Sequence, residues 1–321
     1  MDNKITKKRL NHVFSYEWVA MIFVTVAIVF LWELCYSFFS VKLTPGQRYR
    51  IFYDYNIDDN QADAFLDVLE MNDTFSYDVL EVKFEQVLKQ SSVLYNRNQL
   101  GITDAIVTDI YNSNGQSFDT PHYRAAEIID EYKMYSYDGL LSKAQNYVDS
   151  FKTSGILDDA KLRSIFCARM KNDNRFRTPE QIETGINLER ARIEKLEQDI
   201  LTVNKLFEYD EQRQLDGKES VFYSYRRYSQ TVAEETNPTY KEYYEELMES
   251  ESVENYGLKT WLLSGGEKNT SNYFRFIFPD RVTSENVVVM IFDVSDFQKD
   301  LEYENVSMLA TLIRKFSSIA G

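Results

Sequence analysis

The sequence predicts an α/β protein: a transmembrane helix near the N-terminus, followed by a domain in which strands alternate with helices. Three observations predict it. Residues 18–41 are almost entirely apolar. Residues 48–111 read strand, helix, strand, helix, strand. Residues 287–293 form a continuous apolar run, which is typical of a strand that is buried on both faces.

The transmembrane helix is predicted over Trp18–Val41, because a helix needs about 20 apolar residues to cross the hydrocarbon core. Glu33 is the one charge in this run. A cleaved signal peptide is the main alternative, but no small-residue cleavage site follows. Cys35 suggests a lipid anchor, yet it follows Trp32-Glu33-Leu34 and not the small residue that such sites require. A buried core helix of this length would carry more charge.

The basic residues that flank the apolar run set the predicted orientation. Residues 1–17 form a basic tail, and residues 42–47 form a short linker with Pro45 and Gly46. The basic side chains favour a cytoplasmic N-terminus by four to three: Lys4, Lys7, Lys8 and Arg9 against Lys42, Arg48 and Arg50. We therefore expect a single-pass protein of the cell membrane with its C-terminal domain outside. Glu33 would lie toward the outer end, where it could contact another membrane subunit.

The composition excludes several classes of protein. Hydrophobic residues make up 44% and charged residues 27%, as in a globular domain. The net charge of −15 argues against nucleic acid as a partner, because nucleic-acid binding needs a basic surface. Two cysteines do not form a disulfide framework.

The first part of the domain is predicted as three strands, at 48–55, 77–84 and 104–111, which two helices separate. The first helix begins at Asp58 or Asp59, which serve as N-caps. The second covers 87–100, and Gly101 ends it. Strands that are joined through helices pair in parallel.

The remaining elements follow from periodicity and capping. Thr178, Pro179 and Glu180 are typical of a helix start, and the helix is expected to reach Phe207 or beyond. Further helices are predicted at 124–134, 140–151, 158–170, 240–248 and 301–316, and further strands at 221–228, 256–263, 273–278 and 287–293.

Candidate ligand-binding residues lie where the predicted parallel strands end, because open α/β sheets bind ligands at the carboxyl ends of their strands. Tyrosines offer a stacking surface and a hydroxyl, and polar side chains beside them can hydrogen-bond a hydroxyl-rich solute. The candidates are Tyr55, Asn56, Asp109, Tyr111 and Asn112, with Tyr225 and Trp261 as weaker additions.

No catalytic signature is present in the sequence. There are two histidines, His12 and His122, and neither belongs to a recognisable triad or zinc motif. No glycine-rich phosphate loop occurs. We predict no catalytic residue, no metal site and no cofactor. A hydrolase that uses a pair of carboxylates stays open, since the 51 acids allow too many pairs to name one.

One stretch carries a family resemblance. Residues 94–107, LYNRNQLGITDAIV, form a helix, a glycine and then an Asp-led apolar strand. With the strands before it, this stretch resembles the first lobe of the type II extracellular solute-binding proteins of ABC transporters. The likeness covers about the first quarter of the soluble part in detail. The sequence lacks the lipobox or cleaved signal peptide that is usual in this family, and the chain is shorter than most of the family's sugar binders.

The resemblance implies a two-lobed domain: a first lobe at 48–118, a mostly helical second lobe at 119–255, and return strands with a closing helix at 256–321. It also implies capture of a small polar solute, such as a sugar or oligosaccharide, for a membrane transporter or a sensor. The alternative is a membrane-tethered interaction or assembly module with the same fold and no small ligand. In that reading Glu33 and the helix at 178–207 contact partner subunits.

Overall fold

The computed structural model describes residues 18–39, 43, 45–53, 58–86, 104–110, 124–225, 253–265, 273, 287–293 and 302–320. The chain forms two compact units, Met1–Thr44 and Pro45–Gly321. In the first, helix α1 spans Trp18–Phe39 and exposes its large apolar side chains. Over the residues that are described, no helix is both long and apolar enough to cross a membrane.

The second unit is an α/β structure around one mixed sheet. Its strands are β1 Arg48–Tyr53, β2 Glu81–Gln86, β3 Ala105–Asp109, β6 Phe222–Tyr225, β7 Glu254–Lys259 and β8 Val287–Ile291. The strand order is β2-β1-β3-β8-β7-β6. β1 pairs in parallel with β2 and β3, whereas the pairings β3–β8, β8–β7 and β7–β6 are antiparallel. A two-stranded hairpin consists of β4 Lys152–Thr153 and β5 Ile156–Leu157.

Helices cover both faces of the sheet. They are α2 Asp59–Leu69, α3 Met71–Thr74, α4 Arg124–Glu131, α5 Tyr137–Ser150, α6 Asp159–Arg169, α7 Pro179–Leu215 and α8 Glu302–Phe316. Alternate strand residues, such as Ile51 and Val289, pack with α2, α5, α6, α7 and α8. Their neighbours, such as Phe52 and Met290, pack with α4. β8 is buried along its whole length, as its apolar run predicts.

The 37-residue helix α7 is the longest element, and its start confirms the sequence signal. The hydroxyl of Thr178 accepts a hydrogen bond from the amide of Gln181, and the Gln181 side chain accepts from the Thr178 amide. This capping box satisfies amide groups that have no partner in the first turn. The helix continues to Leu215 because Leu196, Val203 and Leu206 extend its buried stripe.

Strands from 48–118 and from 256–321 share one sheet, and the described residues after residue 44 belong to one compact unit. One expectation differs from the structure. The second strand begins at Glu81 and not at Tyr77, since residues 77 and 78 form a turn. The helices predicted at 87–100 and 240–248 and almost all of the strand at 273–278 lie outside the described residues.

Candidate functional site

The sheet edge that the sequence predicted as a ligand site is described only in part. β1 ends at Tyr53 and β3 at Asp109, and their parallel pairing places both ends on one edge. The side chain of Asp109 lies outside the described part of the chain, as do Tyr55, Asn56, Tyr111 and Asn112.

The two weaker candidates, Trp261 and Tyr225, lie near opposite ends of strand β7. Trp261 follows β7 directly, and its neighbour Thr260 donates a hydrogen bond of 3.0 Å to the carbonyl of Val287, which pairs with Asp109. Trp261 therefore belongs to the predicted edge. Tyr225 pairs with Glu254 at the other end of β7, so the structure does not bring it to the same site.

A second region concentrates buried charge between the helices. We call Asp78, Arg169, Arg175, Glu189 and Arg192 the ionic cluster. Its centre is the fully buried carboxylate of Glu189 on α7. Arg169 on α6 reaches it at 2.6 Å, and Arg192, one turn further along α7, donates through Nε at 3.1 Å and also through Nη2.

The turn before β2 closes the ionic cluster from the other side. The hydroxyl of Tyr77 donates to Glu189 at 2.7 Å. Asp78 lies 3.0 Å from Nη2 of Arg169 and 3.2 Å from Nη2 of Arg175. The ion pairs and hydrogen bonds of the ionic cluster thus connect this turn to α6 and α7.

The surroundings decide the charge of each acid. Burial alone raises the pKa of Glu189, but the guanidinium groups of Arg192 and Arg169 outweigh burial, and the pKa falls below its usual value. Asp78 is different, because burial outweighs its arginines and raises its pKa. Glu189 therefore stays ionised and holds the two arginines in place.

A pocket of about 170 Å³ opens beside the ionic cluster, between α7, α8 and the turn before β2. We call it the α7–α8 pocket. Apolar residues of α7 and several polar groups line it, among them Leu188, Arg192, Lys195, Tyr303, Glu304 and Ser307. The guanidinium carbon of Arg192 lies 4.0 Å from the centroid of the Tyr303 ring, a cation–π contact.

Glu304 is the acid among the residues that line the α7–α8 pocket. It is 1% exposed, and within the described residues no cation forms an ion pair with it. The amide of Ser76 donates to its two oxygens at 3.3 and 3.1 Å. Burial raises its pKa to about 7, although Ser76, Arg192 and Lys195 act in the opposite direction.

Arg192 leaves one donor unused. Its Nε and Nη2 bind Glu189, and Nη2 also binds the hydroxyl of Tyr147. Its Nη1 is buried and has no hydrogen-bond partner in the described structure. A buried donor without a partner costs about 1–3 kcal/mol.

Asp199 contacts two residues that line the α7–α8 pocket, Lys195 and Ser307, but does not line the pocket itself. Its buried carboxylate binds Lys195 at 2.7 Å, accepts a hydrogen bond from Ser307 at 2.7 Å, and pairs with Arg314. Lys195 and Arg314 therefore share one buried carboxylate.

The lining of the α7–α8 pocket combines apolar and polar groups. Apolar walls with a few converging polar groups are typical of small-ligand sites. Over the part of the chain that the structure describes, no three His, Cys, Asp or Glu side chains cluster in a way that could hold a metal ion.

Sequence reasoning missed both the ionic cluster and the α7–α8 pocket, although α7 carries a signal for them. Glu189, Arg192 and Asp199 fall on the same stripe as the buried Ile186, Ile193, Leu196 and Ile200. A charge on the apolar stripe of a helix is buried and therefore needs partners from elsewhere in the fold.

Comparison with known proteins gives no family for the chain. No protein-family model matches it, and no curated protein or solved structure matches it significantly. The resemblance to type II solute-binding proteins therefore stays a prediction.

Proposed function

We propose that this protein is a membrane-anchored receptor domain that binds a small polar solute outside the cell. The single observation that carries the binding role is the α7–α8 pocket, which is lined by Arg192, Lys195 and the buried Glu304, an acid that pairs with no cation among the described residues. A polar solute that enters this pocket would contact these charged groups. The proposal assigns no catalysis.

The membrane anchor in this proposal rests on the sequence of residues 18–41, part of which lies outside the described residues. No described helix is both long and apolar enough to cross a membrane, so the anchor is proposed from the sequence alone. Apolar side chains are exposed on the described part of α1, and contact with lipid would remove them from water.

The site in this proposal differs from the one in a two-lobed solute-binding protein. The α7–α8 pocket lies within one compact unit, and a volume of about 170 Å³ suits a solute of roughly six heavy atoms, because a cavity of about 150 Å³ holds benzene. An oligosaccharide is too large for this pocket. In this proposal the protein delivers the bound solute to transporter subunits or signals its presence to them.

A second candidate is a tethered assembly module with no small ligand. Glu33 favours it, because this carboxylate is exposed on α1 among apolar side chains and would need a partner inside a bilayer. In that case Glu33→Gln changes co-purification with other membrane proteins, whereas variants of the α7–α8 pocket do not.

A thermal-shift screen tests the binding role. The full chain in lipid nanodiscs is heated with short-chain acids, amines, alcohols and monosaccharides. A ligand at 100 times its dissociation constant stabilises by about 2.7 kcal/mol and raises the melting temperature. Ala191→Leu, which narrows the pocket mouth, should abolish the shift, and Ala160→Leu on the exposed face of α6 should retain it. The proposal fails when no solute gives a shift that Ala191→Leu removes.

A further inference from the structure

We propose that the α7–α8 pocket binds a short-chain monocarboxylate together with one proton, which Glu304 carries. This inference rests on the proposed function and names the ligand class. It follows from the charges that line the pocket, from its apolar walls and from its size.

Charged side chains of the ionic cluster and of α7 surround the described part of the α7–α8 pocket. In the ionic cluster and its neighbour Asp173, three arginines face three carboxylates: Arg169, Arg175 and Arg192 against Asp78, Asp173 and Glu189. Lys195, which lines the pocket, shares Asp199 with Arg314. Arg192 and Lys195 are thus the cations of the pocket lining. Either Glu304 is ionised beside them, or a bound anion lies beside them while Glu304 is protonated.

The state with a bound anion and a protonated Glu304 gives more polar groups a hydrogen-bond partner. A ligand carboxylate accepts hydrogen bonds from cations that line the pocket, and a protonated Glu304 donates to it. Two ionised carboxylates in one small site repel each other, so the bound acid raises the pKa of Glu304 further. The hydroxyls of Tyr49 and Tyr303, the other titratable groups beside Glu304, have strongly raised pKa values, chiefly through burial, and stay protonated.

The walls and the volume select the rest of the ligand. Leu188, Ala191 and Leu196 supply an apolar surface for an alkyl chain. The volume of about 170 Å³ fits butyrate, which has six heavy atoms like benzene. A dicarboxylate would add a second negative charge beside Glu304 and is disfavoured.

Isothermal titration calorimetry of the full chain in nanodiscs tests the inference with three probes that share a four-carbon chain: butyrate, butylamine and butanol. Butyrate should bind about tenfold more tightly at pH 6 than at pH 8, because the free site loses the proton of Glu304 near pH 7 and the bound site keeps it. In Glu304→Gln, which mimics the protonated acid, the affinity should be the same at both pH values. Ala191→Leu should abolish binding, and Ala160→Leu should not.

The outcomes separate the ligand class from the binding role. Equal butyrate affinity at pH 6 and pH 8 in the unmodified protein, or a pH dependence that persists in Glu304→Gln, overturns the coupled proton. Butylamine or butanol binding that Ala191→Leu blocks, without butyrate binding, overturns the carboxylate and leaves the proposed function standing. When none of the probes binds and the wider thermal-shift screen is also blank, both proposals fail.

Discussion

Arg169 and Glu189 form an ion pair of 2.6 Å between α6 and α7, and the carboxylate is completely buried. Glu189 lies on the apolar stripe of α7, where an unpaired charge would be very costly. The pair therefore fixes how α6 packs against α7, and it holds one wall of the α7–α8 pocket through Arg192.

Removal of the Glu189 charge should strongly destabilise the domain. Glu189→Gln leaves Arg169 and Arg192 without their shared counter-charge, and breaking a buried pair costs about 3–5 kcal/mol. Glu183→Gln is the matched control, because Glu183 pairs with Arg163 at the surface, where such pairs contribute about 0–1 kcal/mol. Urea denaturation followed by Trp261 fluorescence measures both. Equal losses for the two variants would contradict a structural role for the ionic cluster.

Gly185 should not tolerate a methyl group. Alanine is normally better than glycine inside a helix by about 1 kcal/mol. At Gly185, however, an added Cβ would collide with the buried Phe166 ring and lie 2.8 Å from the Phe176 ring. We expect Gly185→Ala to lower the free energy of unfolding by about 1–3 kcal/mol. Gly46→Ala, with no atom within 4 Å of the new Cβ, should change it little.

Glu304 should make stability fall as the pH rises. Its pKa is about 7 in the fold against 4.5 in the unfolded chain, so the folded state keeps a proton that the unfolded state releases. The resulting loss in the free energy of unfolding is absent below pH 4.5, grows as the pH rises toward 7, and then levels off. At pH 8 it is on the order of 3 kcal/mol. Glu304→Gln should remove it. Denaturation at pH 4.5, 6 and 8 checks this, and a constant difference between the two proteins would refute the raised pKa.

The domain should lie outside the cell. Protease that is added to intact cells should remove the C-terminal domain, because the basic residues 4–9 favour a cytoplasmic N-terminus. Cys35→Ser should leave the protein attached to the membrane, since the helix and not a lipid anchors it. Protection of the domain until the cells are lysed would show the opposite orientation and exclude an extracellular receptor.

Local signals in the sequence predict much of the fold. The caps at Asp58 and Thr178 and the apolar run at 287–291 gave helix starts and a buried strand that the structure contains. Periodicity does not specify which strands pair. The antiparallel return of β8 beside β3, which joins the start and the end of the domain in one sheet, therefore needed the structure.

The site depends even more on long-range packing. Asp78 and Arg169 each have the appearance of an ordinary surface charge in the sequence, and the place of Glu189 on the apolar stripe of α7 does not show which residues it contacts. Glu304 precedes a run of buried residues on α8, and nothing local shows that α7 covers it. The chain brings these groups together only after the helices pack.

The carboxyl group of Glu304 offers the most direct test of the account. Carbon-13 NMR of the full chain in nanodiscs, labelled at glutamate carboxyl carbons and assigned by the loss of one signal in Glu304→Gln, reports its protonation. We expect a titration midpoint near pH 7 that moves to higher pH when butyrate saturates the site. A midpoint near 4.5, or one that butyrate leaves unchanged, would contradict the account.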